Sequence, residues 1–316
     1  MKDLEKFWSL EQIGISSHQE DILTKEEFLA QELQNTTTFY NKEEKTWYTS
    51  LLFKDRPPVL GNNKSKAMAI LQKVEKSAIQ QGRVEDLNRA YQELVDQGFA
   101  EIVTENEEPE EVHYLPGHPV YKDERESTKV RIVFNASSMT STGQTLNQCL
   151  YQGPNPLPEI NYVLLRWRFN IIAFILDISK MFLRIKLHKD QNYLRFLWRN
   201  CDTTQKPMIL RLLSVVFGVI SSPFQAVDVV KKHADLFQDK LPLASEEVPE
   251  QLYMDDVPGG DCVEDIAKKK LEEIYEFFLL ATMQPHKIAS NCQAILEKIP
   301  DEFRSSKDII KVLGVL

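Results

Sequence analysis

The 316-residue sequence is short of cysteine, and what it has is scattered. Cys149, Cys201, Cys262 and Cys292 lie far apart, with no C-x-x-C pair among them. That spacing argues against a disulfide framework and a cysteine-ligated zinc site, and it fits a reducing compartment better. There is no apolar run long enough to span a bilayer. The opening MKDLEKFWSLEQ lacks the charged-then-apolar profile of a secretory signal. The expectation is an intracellular chain with no membrane partner. Internal repeats and long low-complexity tracts are also missing. With thiols scarce, the metal ligands present in quantity are carboxylates, which suit hard cations such as magnesium.

Hydrophobic residues make up 42% of the chain, enough for one large core or two modest ones. The net charge of −9 speaks against a nucleic-acid partner until its distribution is read. Residues 1–111 hold 13 Lys and Arg against 22 Asp and Glu, and residues 212–316 hold 11 against 18. Between them, residues 122–211 hold 14 against 7. A basic segment between two acidic ones is compatible with a phosphate-binding face beside a carboxylate site, and equally with an ordinary charged surface.

Along the chain, Thr46–Phe53 reads as a strand, and Pro57-Pro58 and Gly61-Asn62-Asn63 break the pattern after it. Apolar spacing from Ser65 to Gly98 predicts one or two amphipathic helices with Gly82 as the break. The acidic run Glu105–Glu111 reads as an exposed loop. Tyr114–Lys122 reads as strand, turn, strand, and Lys129–Phe134 as a half-buried strand projecting Lys129 and Arg131 to one side. Residues 158–169 have helical spacing. Ile171–Leu176 is a continuous apolar run, typical of a strand buried on both faces, and it ends at Asp177. Leu194–Trp198 and Met208–Leu213 suit paired strands. Ser221–Phe237 and Cys262–Met283 suit helices, the first with Pro223 near its start.

The stretch EQLYMDDVPGGD (250–261) runs an apolar segment straight into two adjacent carboxylates and a Pro-Gly-Gly turn. A solvated turn explains it, because Asp, Pro and Gly are ordinary turn residues. Asp177 can likewise cap the short helix expected over Ser179–Leu183. If the two apolar runs are neighbouring strands, however, Asp177, Asp255 and Asp256 converge. Three such carboxylates can bind two divalent ions about 3.5–4 Å apart, the arrangement that in-line phosphoryl or nucleotidyl transfer uses. Magnesium suits that site because it takes a few carboxylates and keeps positions for water and phosphate oxygens. The basic strand would supply Lys122, Lys129 and Arg131 against a triphosphate, although lysines and arginines on a strand are more often solvated surface.

These residues carry a resemblance. LDISKMF (176–182), VVFGVISSPFQA (215–226), YMDD (253–256), MQPHKIASN (283–291) and KVLGVL (311–316) are similar, in that order, to the consecutive palm motifs of a reverse transcriptase. YLPGHPVYKDERESTKVRIVFNAS (114–137) and LNQCLYQGPNPLPEINYVLLRWR (146–168) resemble the reverse transcriptase domain of Bel/Pao-type LTR retrotransposon polyproteins, as do FWSLEQIGI (7–15) and FKDRPPVLGNNKSKAMAIL (53–71). The resemblance implies an α+β right-hand polymerase fold of fingers and palm, with an antiparallel palm sheet flanked by helices and the thumb absent or truncated. It implies an N-terminal extension over 1–60 and a polymerase over 61–316. The fingers would lie mainly over 61–170 and 185–215, and the palm mainly over 171–184 and 216–316.

The resemblance also implies an RNA-directed DNA polymerase, a nucleotidyltransferase adding deoxynucleotides to a primer end. Asp177, Asp255 and Asp256 would hold two magnesium ions, with manganese as a substitute. Lys122 and Arg131 would contact the incoming triphosphate. Phe182 would be the steric gate against a ribose 2′-hydroxyl. Phe217, Gly218 and Gln225 would line the nucleotide and template pocket, with Lys287 near the triphosphate as a proton donor and Lys311–Leu316 beginning the primer grip. The implied partners are an RNA or DNA template with primer and deoxynucleoside triphosphates. A protease, ribonuclease H and integrase are expected outside this chain, and the implied location is a cytoplasmic particle. Three departures stand out: Phe217 replaces a glutamine, Asn135 replaces an aspartate, and Pro258 predicts a short returning strand after the Asp pair. The alternative reading is a truncated or domesticated, non-catalytic remnant that folds and binds nucleic acid or a protein. A carboxylate-metal hydrolase is a third, lacking a candidate general base.

Overall fold

Local chemistry sets the first helix of the computed structural model, which describes residues 23–104, 109, 111–121, 130–306 and 313. The Thr24 hydroxyl accepts the Glu27 N–H while the Glu27 carboxylate accepts the Thr24 N–H, a capping box that opens α1 (Lys25–Thr37). β1 (Phe39–Asn41) and β2 (Thr46–Thr49) form a hairpin, followed by α2 (Lys64–Gln80) and α3 (Val84–Asp96). The break between those helices falls at Gly82, as the spacing predicts. Gly82 takes φ +66°, and the Arg83 N–H donates back to the Ala78 carbonyl at 2.9 Å, a left-handed helix end that glycine adopts without strain.

Then come β3 (Ala100–Ile102), β4 (Gly117–Tyr121), β5 (Val130–Phe134), α4 (Ile160–Arg168) and β6 (Ile172–Ser179). They are followed by β7 (Lys186–Leu187), β8 (Arg195–Trp198), β9 (Met208–Leu212), α5 (Ser222–Phe237) and α6 (Pro242–Gln251). The last elements are β10 (Asp256–Asp261), α7 (Glu264–Leu279) and β11 (Gln284–Ser290). The strands make small sheets in the orders β1–β2–β7, β10–β6–β11 and β3–β9–β8, with β4–β5 as a separate pair. Among the strand pairs of the described residues, only β2 and β7 run parallel. The architecture is α+β, and none of the described helices is long and apolar enough to cross a membrane.

One large core joins these pieces. β6 is the middle strand of its sheet, and Phe174, Leu176 and Ile178 are almost wholly buried. α7 packs on all three strands of that sheet and buries Leu271, Ile274, Phe277 and Phe278. Each such side chain contributes about 1.5–3 kcal/mol by leaving water. Trp47, Leu51 and Phe53 belong to the same core. These residues of the chain before residue 60 thus pack into the same core as the sheets. Between α2 and the turn after β8, the Arg199 guanidinium grips the buried Glu75 carboxylate with two bonds of 2.8 and 2.6 Å.

The strand after the Asp pair is longer than Pro258 predicts. β10 pairs with β6 over six residues, from Asp256 opposite Asp177 to Asp261 opposite Ile172, straight through Pro258. β10 is an edge strand, so half of its N–H groups face no partner strand, and a proline is tolerated in that row. The two glycines let it close on β6. A Cβ at Gly259 would fall 2.5 Å from the Phe174 ring, and one at Gly260 only 2.3 Å from the Ile172 carbonyl oxygen.

Candidate active site

The register of the β10–β6–β11 sheet decides which side chains meet. Asp177 lies within β6, directly opposite Asp256 on one side and His286 on the other. It does not cap a helix. The short 3₁₀ turn Met181–Arg184 starts instead after Lys180, at φ +54°. Asp255 sits on the two-residue turn that leads into β10, closed by the Tyr253 N–H on the Asp256 carbonyl (2.9 Å) and the Asp256 N–H on the Tyr253 carbonyl (3.1 Å). The Ile178 N–H donates to the Asp255 carbonyl at 2.7 Å and pins that turn onto β6. Met254 holds φ +58° at the first turn position, where glycine is usual. A strained residue of this kind costs about 1–3 kcal/mol and points to a constraint on the neighbouring Asp255.

Crowding shows in the electrostatics. Burial first, then the charges of Asp255 and Asp177, push Asp256 up to about 6. Burial and then Asp177 also raise Asp255, opposed by its own backbone N–H, Arg131 and Lys287. The compensating cation is Lys287, whose Nζ lies 2.8 Å from Asp177 Oδ2. Lys287 reaches it from a bulge in β11, at φ +52°, between the register points His286 and Ala289. His286 Nδ1 lies 3.0 Å from the Asp177 carbonyl oxygen and 3.3 Å from Oδ1. Both partners only accept, so Nδ1 carries the proton.

Several other expected residues surround this edge. Arg131 is exposed on β5, close enough to act on Asp255, and forms no ion pair among the described residues. Phe182, on the turn leaving β6, is buried and meets the half-exposed Phe217 edge to face, ring centroids 4.4 Å apart. Gly218 is dictated by its surroundings: it takes φ +97°, and a Cβ there would stand 2.3 Å from the Phe134 carbonyl oxygen. Asn147 fixes that segment, donating to the Gly218 carbonyl (3.0 Å) and accepting from the Ile220 N–H (2.9 Å). Asn135 accepts the Ser137 N–H at 3.0 Å, an Asx turn that an aspartate could also make. Lys122, Lys129 and most of 311–316 lie outside the described residues.

Gln225 is a correction. It is wholly buried, and its amide donates to Gln34 Oε1, Thr49 Oγ1 and the Ser50 carbonyl while its Oε1 accepts from Ser221. Nothing is left to line a pocket; it ties α1 and β2 to α5. Sequence reasoning passed over His286 and Asn147. The only signal for His286 is its place in QPHK beside Lys287. Asn147 has none, because its partner Gly218 lies 71 residues away.

The donor set suits a hard divalent cation, being three carboxylates with oxygen donors only. Among the described residues, however, no group of three or more His, Cys, Asp and Glu side chains stands close enough together to hold a metal ion. The ligand chemistry fits and the cage is not closed. No model of a known protein family matches this sequence, and no curated protein matches it significantly.

Proposed function

We propose that this chain carries out template-directed nucleotidyl transfer, as an RNA-directed DNA polymerase of a retrotransposon whose β10–β6–β11 sheet is the palm of a right-hand polymerase. One observation carries the reading: the cross-strand pair Asp177–Asp256 with Asp255 on a strained turn hydrogen-bonded to the same strand. Asp177, Asp255 and Asp256 would hold magnesium. When bound, the metal would supply the positive charge that activates a primer hydroxyl and neutralises a triphosphate.

The remaining chemistry belongs to the chain. Lys287 keeps one carboxylate charge balanced while the edge is free of ligand, and its flexible amine can turn to an incoming phosphate oxygen. Arg131, exposed on β5 and without an ion pair among the described residues, is suited to phosphate recognition. The half-exposed Phe217, packed edge to face against Phe182, offers an apolar surface on which a deoxyribose can rest. Primer extension on an RNA template with deoxynucleotides and magnesium, by the native chain and by Asp255→Asn, tests this. Extension that disappears in the variant supports the reading. Extension by neither, with the native chain folded, favours the non-catalytic remnant, which the open carboxylate cage also fits.

A further inference from the structure

The β1–β2 turn, the connection from α3 to β3, the 3₁₀ turn after β6 and the α7–β11 connection meet around an open cleft of about 480 Å³. That falls in the range of about 300–1,000 Å³ usual for small-molecule sites. Its polar lining is Glu44, Thr46, Gln97, Arg184, Lys186, Ser214 and Thr282. None of the carboxylates Asp177, Asp255 and Asp256 lines it, nor do Arg131, Phe182, Phe217 or Lys287.

Two of the lining groups are unsatisfied. Ser214 is 1% exposed, and its hydroxyl has no hydrogen-bond partner among the described residues. Arg184 has a buried Nε with no partner, and its guanidinium forms no ion pair among the described residues; the Phe99 ring lies against it, 5.3 Å from the centroid. A desolvated cation beside an orphaned hydroxyl is unfavourable unless an acceptor joins them. Lys186, 3.2 Å from the exposed Glu44 carboxylate, adds a second positive charge that a stronger anion can take over. The Thr46 hydroxyl donates to the Glu44 carbonyl at 3.0 Å and stands 3.5 Å from the Thr282 hydroxyl on the opposite element.

We infer that this cleft binds a phosphate-class oxyanion, free phosphate or the terminal group of a small phosphate monoester, gripped by Arg184 and Lys186 with Ser214 completing the contact. A guanidinium fork with hydroxyl donors matches a tetrahedral oxyanion, which accepts from several directions at once. The inference stands whether or not the chain is a polymerase.

The test uses inorganic phosphate, at ionic strength held constant with sodium chloride, followed by calorimetric titration of the full chain. Saturable millimolar binding is expected. Arg184→Met should weaken it at least about tenfold and Ser214→Ala severalfold, the scale of hydrogen bonds to a charged group. Phenylglyoxal labelling of the native protein, read by mass spectrometry at Arg184, needs no variant to fold, and phosphate should slow it where chloride does not. No saturable binding, unchanged affinity in Arg184→Met or unprotected Arg184 overturns the inference. So does binding lost in Lys287→Met and kept in Arg184→Met, which would put the anion at the carboxylate edge. Glucose 6-phosphate binding far more tightly than inorganic phosphate would identify a monoester as the occupant. Equal affinities would identify the free ion.

Discussion

Asp256→Asn should make the metal-free protein more stable, and the gain should depend on pH. The carboxyl titrates at about 6 in the fold against an ordinary 3.8, held up by burial and by Asp255 and Asp177. A shift of about two units at about 1.4 kcal/mol each is an upper limit of roughly 3 kcal/mol. The side chain is only half-buried, and solvent screening reduces this to about 1–2 kcal/mol. A folded pKa raised above the unfolded one means that the native state binds the proton more tightly. The linked stability is fully present below about 3.8 and is lost as pH rises through about 6. Asparagine removes the ionised penalty, so the variant should exceed the native protein by about 1–2 kcal/mol at pH 8, or about 2–4 °C in Tm. The difference should shrink through pH 6 and vanish near pH 4. Urea unfolding followed by circular dichroism, with EDTA present, measures it at each pH. Reporting the difference between two proteins cancels every titration they share. A variant less stable at pH 8, or a gap that does not change with pH, would refute the account of the carboxylate edge. Under the proposed function, the same variant should also lose primer extension, the usual exchange of stability against function at a charged site.

Glu75→Ala should cost about 3–5 kcal/mol, because it strands the buried Arg199 guanidinium; urea midpoints measure this, and Arg199→Met on top of it should recover part of the loss. Gly218→Ala should lower stability by at least about 2 kcal/mol, since the new methyl meets the Phe134 carbonyl at a φ that alanine avoids. A thermal scan showing no change would sink that claim. Burial holds His233 at about 4, neutral between the Trp47 indole N–H and the Phe277 carbonyl. The unfolded chain takes up a proton that the fold refuses, so stability should fall from about pH 6.5 down to about 4, by up to about 3 kcal/mol. His233→Gln should flatten that acid limb even though it weakens the protein overall.

Elements with strong local patterns were readable in advance. Helical spacing and a glycine break marked α2 and α3, and Pro223 marked the start of α5. The apolar run marked β6, although Ile171 at its start stays outside the strand and is 70% exposed. α1 was missed, because its apolar face is weak and Ala30 and Gln34 are held by distant partners. α6 was missed as well, with Pro249 inside it and its first N–H groups satisfied from afar by the buried Glu273 carboxylate.

Composition and periodicity by themselves determined that the chain mixes helices with strands, that carboxylates are its only abundant metal donors, and that a continuous apolar run leads into Asp177. Those properties are local, written in the order of apolar and charged residues. Tertiary structure alone decided that Asp256 stands opposite Asp177, since cross-strand register depends on packing between segments about 80 residues apart in sequence. Tertiary packing also set Lys287 on Asp177, took Gln225 into the core and brought Arg184 and Ser214 to one cleft. A side chain's charge is readable in sequence, but what balances it is settled only by the neighbours that folding supplies.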